Sequence, residues 1–500
     1  MSASVPEPEA TLARPCHSVA RHARLTDRVE TARSLRRAAA RGTQTMTVAD
    51  ETVERFALGL HGELIREGAE EYDEARRIWN GMIDRRPSMI IRCRDAQDVV
   101  QAVNFARDHG IQLSVRGGGH GVAGNAICEG GLVIDLSSMN AVRVDPEKRV
   151  AIAEGGATWR DFDRATQAHG LATTGGIVSD TGIAGLTLGG GFGILMRKHG
   201  LACDNLLEAE IVTADGRISK ASRDENPDLF WAIRGGGGNF GVVTSFTYRI
   251  HPVGRILWGP LIHPVDRAGI VLRYYQKFME GAPDELQAYG AFLFGPDGTP
   301  VVAVVPAWVG SIEEGLRVLR PLREFGPPVA DMVQEAAYMD HRTIFDAGYP
   351  RGLRNYWKSN MVDSLTDGAI EALSREFAKA PSRTGGTGIA LEALGGAVAR
   401  VGADDTAFAH RGAAYSAIIT ASWKDPAEDA ANREWVRGVW EALRPFAPPG
   451  VYVNYMQEDA DEGGVRVREA YGAKYERLAA FKEIYDPENL FRLNQNIRPG

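Results

Sequence analysis

Cysteine is scarce in this chain of 500 residues, which has only Cys16, Cys93, Cys128 and Cys203. These four are widely spaced and form no CxxC pair. The sequence therefore predicts neither a disulfide framework nor a zinc centre, and we expect reduced thiols in the core or in loops. We predict no metal site elsewhere in the chain.

Long apolar runs and excess positive charge are also missing. No apolar run approaches the roughly 18 residues of a membrane span, and the first 45 residues lack the apolar centre of a secretory signal. The net charge is −8 and the sequence pI is about 5.9, which disfavours nucleic acid as a partner. We expect a cytoplasmic protein that binds neither membranes nor nucleic acid. The arginine-rich residues 1–45 are expected to be a disordered extension; a basic nucleic-acid-binding arm is the weaker alternative.

Glycine, in contrast, is abundant and clustered. The chain has 57 glycines, concentrated in the runs 117–131, 175–193 and 235–241. Glycine costs conformational entropy, and a long dinucleotide lying along bare backbone would explain three such runs. The first run contains the G-x-G-x-x-G spacing, but "VAGNAICEGG" follows it and has no helical period, which excludes a Rossmann helix terminus. A nest of backbone N–H groups can still bind pyrophosphate; a purely structural turn is the alternative.

Two reactive side chains accompany these runs. His120 lies inside the first run and is a candidate nucleophile or covalent tether, unless it is an ordinary loop histidine. "VYVNYMQ" is predicted to be a strand, on which Tyr452 and Asn454 face one way and Val453 and Tyr455 the other. A tyrosine acts as a base only if its neighbours lower its pKa of about 10. Aromatic packing on a sheet is the alternative interpretation.

The periodicity predicts an α+β protein in two parts. Residues 50–80 are predicted to be helical, and further helices and strands continue to about residue 253. In residues 254–450, strands such as "PVVAVVPAWVG" alternate with helices such as "SIEEGLRVLRPLREFG". This order favours an antiparallel sheet with helices on one side. Arg354 and Lys358 are predicted to lie one helical turn apart.

Five segments occur in a recognisable order: "RGGGHGVAGNAICEGGLVIDLS", "GGIVSDTGIAGLTLGGGFG", "DLFWAIRGGGGNFGVVTSF", "YVNY" and "YDPENLF". With them, residues 75–500 resemble the berberine-bridge-enzyme-like flavoprotein oxidases of the vanillyl-alcohol-oxidase, or PCMH-type, superfamily. The resemblance implies an FAD-binding domain over 46–253, with its PCMH-type core over about 83–253. It further implies a substrate-binding domain over 254–450 and a segment, 451–500, that returns to the FAD-binding domain.

The resemblance also implies a covalent cofactor. In this family the histidine of the glycine loop forms an 8α-histidyl bond to FAD, and His120 occupies that position. Val178 occupies the position of a second, cysteinyl link, so a single tether is expected, as in bacterial members of the 6-hydroxynicotine-oxidase kind. Thr181 matches a position thought to control access of O₂, where a small residue favours an oxidase. Tyr455 matches a residue that deprotonates the substrate, and Glu392 is an alternative whose register is open. The predicted FAD contacts are His120, Arg116, Gly117, Gly118, Gly119, Gly121, Gly176, Thr181, Gly182, Gly185, Gly190, Gly191, Val212, Asn454 and Asn494.

These implications combine into one functional hypothesis. The protein is expected to oxidise an alcohol or amine of a small organic substrate by hydride transfer to flavin N5, with O₂ as acceptor and H₂O₂ as product. A dehydrogenase with another acceptor and a non-catalytic flavin-binding protein are the alternatives. We expect a monomer or a homodimer. The aromatic residues of the second part are expected to be mostly core: Tyr338, Tyr356, Trp357, Tyr415 and Trp423.

Overall fold

The computed structural model describes residues 48–457 and 464–500 and confirms an α+β fold with largely antiparallel sheets. The first sheet has the strand order β1-β2-β4-β3. Its strands are β1 (Glu63–Ile65), β2 (Met89–Arg92), β3 (Leu113–Arg116) and β4 (Leu132–Asp135). The neighbouring helices are α1 (Asp50–Ala57), α2 (Tyr72–Ala75) and α3 (Ala96–Asp108). β4 is parallel to both β2 and β3, so the first glycine run leaves β3 at the sheet's carboxyl edge.

The second sheet is antiparallel and has the order β5-β6-β10-β8-β9. Its strands are β5 (Val142–Asp145), β6 (Val150–Glu154), β8 (Leu206–Val212), β9 (Ile218–Ser222) and β10 (Val242–Arg249), while β7 (Leu171–Ala172) pairs with β11 (His251–Pro252). Its helices are α4 (Trp159–Gln167), α5 (Ile183–Leu188), α6 (Met196–His199) and α7 (Pro227–Ala232). Thr158 caps α4 through a capping box with Asp161, which determines where this helix begins.

A third, nine-stranded sheet begins after residue 255 and has the main order β16-β13-β15-β14-β19-β20-β18, with β12 and β17 attached through β15. Its strands are β12 (Ile256–Trp258), β13 (Leu261–Pro264), β14 (Leu286–Phe294), β15 (Pro300–Trp308), β16 (Ala330–Asp331), β17 (Gln334–Ala336), β18 (Arg354–Val362), β19 (Gly388–Ala393) and β20 (Tyr415–Trp423). All its pairings among the described residues are antiparallel, as predicted.

The longer helices of this region pack on one face of the sheet, and the site borders the other face. The helices of this region are α8 (Ala268–Glu280), α9 (Ile312–Glu324), α10 (Asp340–Asp346), α11 (Asp367–Phe377), α12 (Ala397–Arg400) and α13 (Asp429–Leu443). Ala288 and Phe292 of β14 belong to the core beneath α8, α11 and α13. The alternate residues Tyr289 and Ala291 point to the opposite face and line a cavity. Strand alternation thus separates the packing face from the functional face.

The C-terminal segment packs against the second sheet. Its helices are α14 (Gly464–Tyr471) and α15 (Tyr475–Tyr485), and α15 ends just before Asp486 and Pro487. Val453, Leu478 and Ile497 share one core with Phe246 of β10. The chain therefore leaves the nine-stranded sheet after β20 and α13 and closes the cavity from the other side.

Three local predictions are wrong. Residues 50–80 are not continuously helical, because β1 separates α1 from α2. "YVNY" does not form a strand: Val453–Tyr455 is a single 3-10 turn. Arg354 and Lys358 lie on β18, where Arg354 binds Asp429, so they do not share a helical face.

Several other expectations hold. Cys93, Cys128 and Cys203 are free and buried, and Cys16 lies outside the described residues, as does the predicted extension 1–45. None of the described helices is both long and apolar enough to cross a membrane. Four of the five aromatic residues assigned to the core are fully buried there or nearly so, whereas Trp357 lines the cavity.

Candidate flavin site

A cavity of about 400 Å³ lies where the three glycine runs meet the open face of the nine-stranded sheet. The C-terminal segment, from Tyr452 to Met456, forms part of its wall. Among the described residues that line it, Glu392 is the only acidic one and none is a lysine or an arginine. A phosphate in this cavity would therefore be bound by backbone N–H groups rather than by cationic side chains.

The glycines of the site are of two kinds. A Cβ atom on Gly118 would lie 2.4 Å from the backbone nitrogen of Gly182, and a Cβ on Gly182 would meet Gly118 equally closely. The first and second runs therefore touch through bare backbone. A Cβ on Gly121, Gly185 or Gly238 would instead meet no atom within 4 Å, and these three residues line the cavity. They form a cradle in which a ligand can approach the main chain.

His120 lies in the cavity wall with its ring orientation determined by two neighbours. The indole of Trp79 stacks on the imidazole, with the ring centroids 4.3 Å apart and an interplanar angle of 18°. Nε2 of His120 is buried and lies 3.4 Å from Oδ1 of Asp180, without hydrogen-bond geometry. The imidazole thus has one buried edge toward Asp180 and contributes to the cavity lining.

Tyr455 and Glu392 form a pair on the far side of the cavity. The Tyr455 hydroxyl donates a hydrogen bond to Oε1 of Glu392 at 3.1 Å, whereas Oε2 of Glu392 is buried without a partner in the described structure. Glu392 lies on β19 between Tyr289 and Ser416 of the adjacent strands. This register answers the question that the sequence left open, because the Glu392 side chain lines the cavity beside Tyr455.

Burial dominates the protonation of this pair. It raises the pKa of Glu392 to about 7, although the hydrogen bond from the Tyr455 hydroxyl favours the ionised carboxylate. Burial and the nearby Glu392 carboxyl raise the pKa of the Tyr455 hydroxyl well above 10. Tyr455 could act alone as a base only if its neighbours lowered its pKa, and here they raise it. Glu392 is the member of the pair that changes protonation near neutral pH.

Most of the predicted site residues meet in this cavity. Those that line it are Gly117, Gly118, Gly119, His120, Gly121, Gly176, Thr181, Gly182, Gly185, Asn454, Tyr455 and Asn494, together with Val178. Arg116, Gly190, Gly191 and Val212 do not line it. Arg116 forms a buried ion pair with Asp135 at the base of the first run, and the N–H of Gly191 donates to the Tyr452 hydroxyl. Val212 pairs with Val242 in the second sheet.

Sequence reasoning missed the residues that hold His120. Trp79 belongs to no motif, yet its N–H and indole N–H donate to the carbonyls of Gly119 and Tyr349. Arg351 donates to Asp180 at 2.8 Å and to the carbonyl of Gly118 at 3.0 Å. The residues in these hydrogen-bonded pairs lie 40 to 270 positions apart along the chain, so no local sequence pattern indicates them.

The residues present fit a flavin dinucleotide. The glycine cradle offers exposed backbone for a pyrophosphate, and the buried side-chain oxygen of Asn494, which lines the cavity, has no partner in the described structure. His120 supplies an imidazole in the same cavity as the Glu392–Tyr455 pair. An elongated cofactor with a reactive ring at one end accounts for all three features.

Comparison with known proteins agrees with this fit. A family model described as "FAD binding domain" matches residues 87–222, and one described as "Berberine and berberine like" matches 451–498. An FAD-linked oxidoreductase of Dictyostelium discoideum is 32% identical over 456 residues, covering 90% of this chain and 98% of the relative. The (R)-6-hydroxynicotine oxidase of Paenarthrobacter nicotinovorans is 32% identical over 458 residues, covering 88% and 98%.

Solved structures show the same architecture. The crystal structure of 6-hydroxy-D-nicotine oxidase from Arthrobacter nicotinovorans has a TM-score of 0.81 and 31% identity, and covers 89% of this chain and 99% of that chain. A chitooligosaccharide oxidase shares the fold with a TM-score of 0.81 at 24% identity, covering 90% and 99%. Fold and cavity define an FAD-linked oxidoreductase. Within that class, the chain belongs to the berberine-bridge-enzyme-like family, as the sequence motifs predicted.

Proposed function

We propose that the protein is an FAD-dependent oxidase whose flavin is tethered through His120 and which oxidises an alcohol or amine of a small organic molecule. The Glu392–Tyr455 pair carries the proposal, because it places an acid–base group in the same cavity as the glycine cradle and His120. The oxidases among the relatives and solved structures support oxidation as the reaction. The proposed division of labour gives flavin binding to residues 46–253 and 451–500 and substrate binding to residues 254–450.

Glu392 and Tyr455 have distinct roles in this proposal. The flavin, when bound, supplies the acceptor for a hydride at N5 and passes the electrons to O₂, which gives H₂O₂. Tyr455 binds the hydroxyl or amino group of the substrate, and Glu392 takes up the proton that this group releases. A carboxyl with a pKa of about 7 suits this role, because it is partly ionised at neutral pH and still basic.

The walls of the cavity favour a flat, largely apolar substrate. Ala291, Ala390 and Ile418 lie opposite one another on β14, β19 and β20 and form a shallow floor. Aromatic side chains border this floor: Tyr289, Phe345, Tyr349 and Trp357. Because the described lining includes no cationic side chain, a carboxylate substrate would be desolvated without a partner. We therefore expect aromatic alcohols or amines to bind better than organic acids.

Acid precipitation tests the tether. Flavin should remain with the precipitated protein, and His120→Ala should release it as free FAD. Colourless precipitate from the wild-type protein would contradict the covalent link but leave FAD binding intact.

Flavin bleaching and oxygen consumption test the reaction. Under anaerobic conditions an aromatic alcohol or amine should bleach the flavin, and readmission of air should restore the yellow colour with formation of H₂O₂. Bleaching without reoxidation by O₂ would indicate the dehydrogenase alternative.

Thr181 lines the cavity, and Thr181→Leu is expected to slow reoxidation by shielding the flavin. Aromatic alcohols and amines that bind to the protein without bleaching its flavin would favour the non-catalytic alternative. Chromatography at known concentration should give the proposed monomer or homodimer.

A further inference from the structure

The imidazole of His120 faces a carboxylate, that of Asp180, and binding of a flavin does not by itself require this contact. Nε2 is buried, has no hydrogen-bond partner in the described structure, and faces Oδ1 of Asp180 at 3.4 Å. Trp79 stacks on the flat side of the ring and prevents it from turning freely. An imidazole held between an indole and a carboxylate keeps one orientation, and a negative charge beside Nε2 favours the tautomer with the proton on that nitrogen.

Asp180 is itself held in place from the opposite side. Arg351 donates from Nε to Oδ2 of Asp180 at 2.8 Å and also donates to the carbonyl of Gly118, two residues before His120. Burial alone would raise the pKa of Asp180, but the interactions with His120 and Arg351 hold it below its usual value. Asp180 is therefore an ionised acceptor at neutral pH, oriented toward Nε2 of His120.

We propose that Asp180 is a positioning residue for the flavin tether: its carboxylate, 3.4 Å from Nε2 of His120, stabilises the proton on Nε2 and so leaves the free lone pair on Nδ1. The inference rests on the proposed function, because it concerns how the tether forms. In a neutral imidazole one nitrogen donates and the other accepts, so a carboxylate at Nε2 makes Nδ1 the nucleophile.

The attachment reaction shows what this positioning achieves. The new bond joins Nδ1 to the 8α-methyl carbon of FAD. One C–H bond of the methyl group and the N–H bond of the imidazole break. Breaking these bonds releases two protons and two electrons, which reduce the flavin. O₂ then accepts the two protons and two electrons and becomes H₂O₂. Asp180 stabilises the positive charge that develops on the imidazole as Nδ1 attacks, and it can accept the Nε2 proton.

Asp180→Asn in the full-length protein tests the assignment. The substitution keeps the size of the side chain and removes its charge. We expect attachment of added FAD to slow by about tenfold or more, measured as flavin retained after acid precipitation and as the increase in protein mass. Non-covalent binding of FAD, followed by quenching of its fluorescence, should stay unchanged. Damage to the fold would weaken both measurements together.

Asp346→Asn is the matched control. Asp346 accepts hydrogen bonds from the N–H and the hydroxyl of Ser179, next to Asp180. The same substitution there should leave attachment at the wild-type rate. Equal loss in both variants would overturn the assignment, because it would show that the loop needs only its general packing.

Arg351→Gln is a second variant for the case in which Asp180→Asn does not fold. The Arg351 side chain is partly exposed, so its replacement should disturb the fold less. It should also slow attachment, because it loosens the orientation of Asp180. Wild-type attachment in either variant would overturn the positioning role, as would a flavin peptide whose NMR spectrum shows the link at Nε2. Wild-type protein without any covalent flavin would overturn the tether itself, together with this assignment.

Discussion

The hydroxyl of Tyr455 donates to Oε1 of Glu392 at 3.1 Å and joins the C-terminal segment to β19 of the nine-stranded sheet. Glu392 is buried and Tyr455 is partly buried, and Oε2 of Glu392 has no partner in the described structure. A carboxyl in this setting costs free energy when it ionises, which is why its pKa rises to about 7.

Glu392→Gln is expected to slow flavin reduction and to change its dependence on pH. A base must be deprotonated, so reduction of the wild-type flavin should accelerate as the pH rises through about 7. The variant should be slower by about 100-fold or more and lose this inflection. Anaerobic stopped-flow absorbance at several pH values measures both. A variant that retains the wild-type profile would exclude Glu392 as the base.

Glu392 also predicts the pH dependence of stability in protein freed of flavin. Its pKa is about 7 in the folded state and 4.5 ordinarily, so the folded state binds the proton more tightly. Below pH 4.5 the carboxyl is protonated in both states and costs the folded state nothing. As the pH rises from 4.5 to about 7, the free energy of unfolding falls by at most about 3 kcal/mol. Urea unfolding of the wild-type protein and Glu392→Gln should show a smaller loss in the variant. Identical losses would contradict the raised pKa.

Tyr455→Phe should slow flavin reduction without releasing the flavin. The variant removes the hydroxyl that donates to Glu392 and leaves the tether at His120 untouched. We expect reduction to slow by about 10- to 100-fold, with the change mainly in the limiting rate rather than in substrate affinity. Tyr275→Phe is a suitable control, because this buried hydroxyl donates to the carbonyls of Ala288 and Leu391 on the opposite face of the sheet. Equal effects in the two variants would argue for a general loss of packing.

Much of the site was predictable because its signals are local. Each glycine run lies within a few residues, and residues of all three runs line one cavity. His120 was singled out because a titratable ring lies within bare backbone. These local signals predicted a dinucleotide ligand, and the resemblance of five motifs to a known family predicted the family.

The remaining features depend on contacts between distant segments. The strand predicted for "YVNY" is a 3-10 turn because its residues close the cavity instead of joining a sheet. The pairing of Glu392 with Tyr455 depends on the register of β19 with β14 and β20, which the sequence does not encode locally. Asp180 and Arg351 meet across 171 residues. Such contacts follow from the assembled fold, so composition and periodicity do not predict them.

Alanine at two glycines should distinguish packing from ligand contact. Gly118→Ala forces a Cβ to 2.4 Å from the backbone of Gly182, so it should lower the free energy of unfolding with or without FAD. Gly121→Ala meets no atom within 4 Å and should leave the stability of the flavin-free protein nearly unchanged. It should weaken FAD binding, since its Cβ enters the cavity. Urea unfolding and FAD titration measure the two effects. Similar stability losses in both variants would refute this division of roles.

Asp163 of α4 and Arg342 of α10 form a buried ion pair. Removal of only one partner should lower the free energy of unfolding strongly. The side chains are 1% and 2% exposed, and burial raises the pKa of Asp163 to about 6 despite the arginine beside it. Asp163→Ala leaves the guanidinium buried without its carboxylate, at a cost of about 3–5 kcal/mol. Asp163→Ala combined with Arg342→Ala should cost less than the sum of the single variants. Glu51→Ala, in the exposed pair with Arg55, should have only a slight effect. Additive losses in the double variant would show that the two charges do not interact.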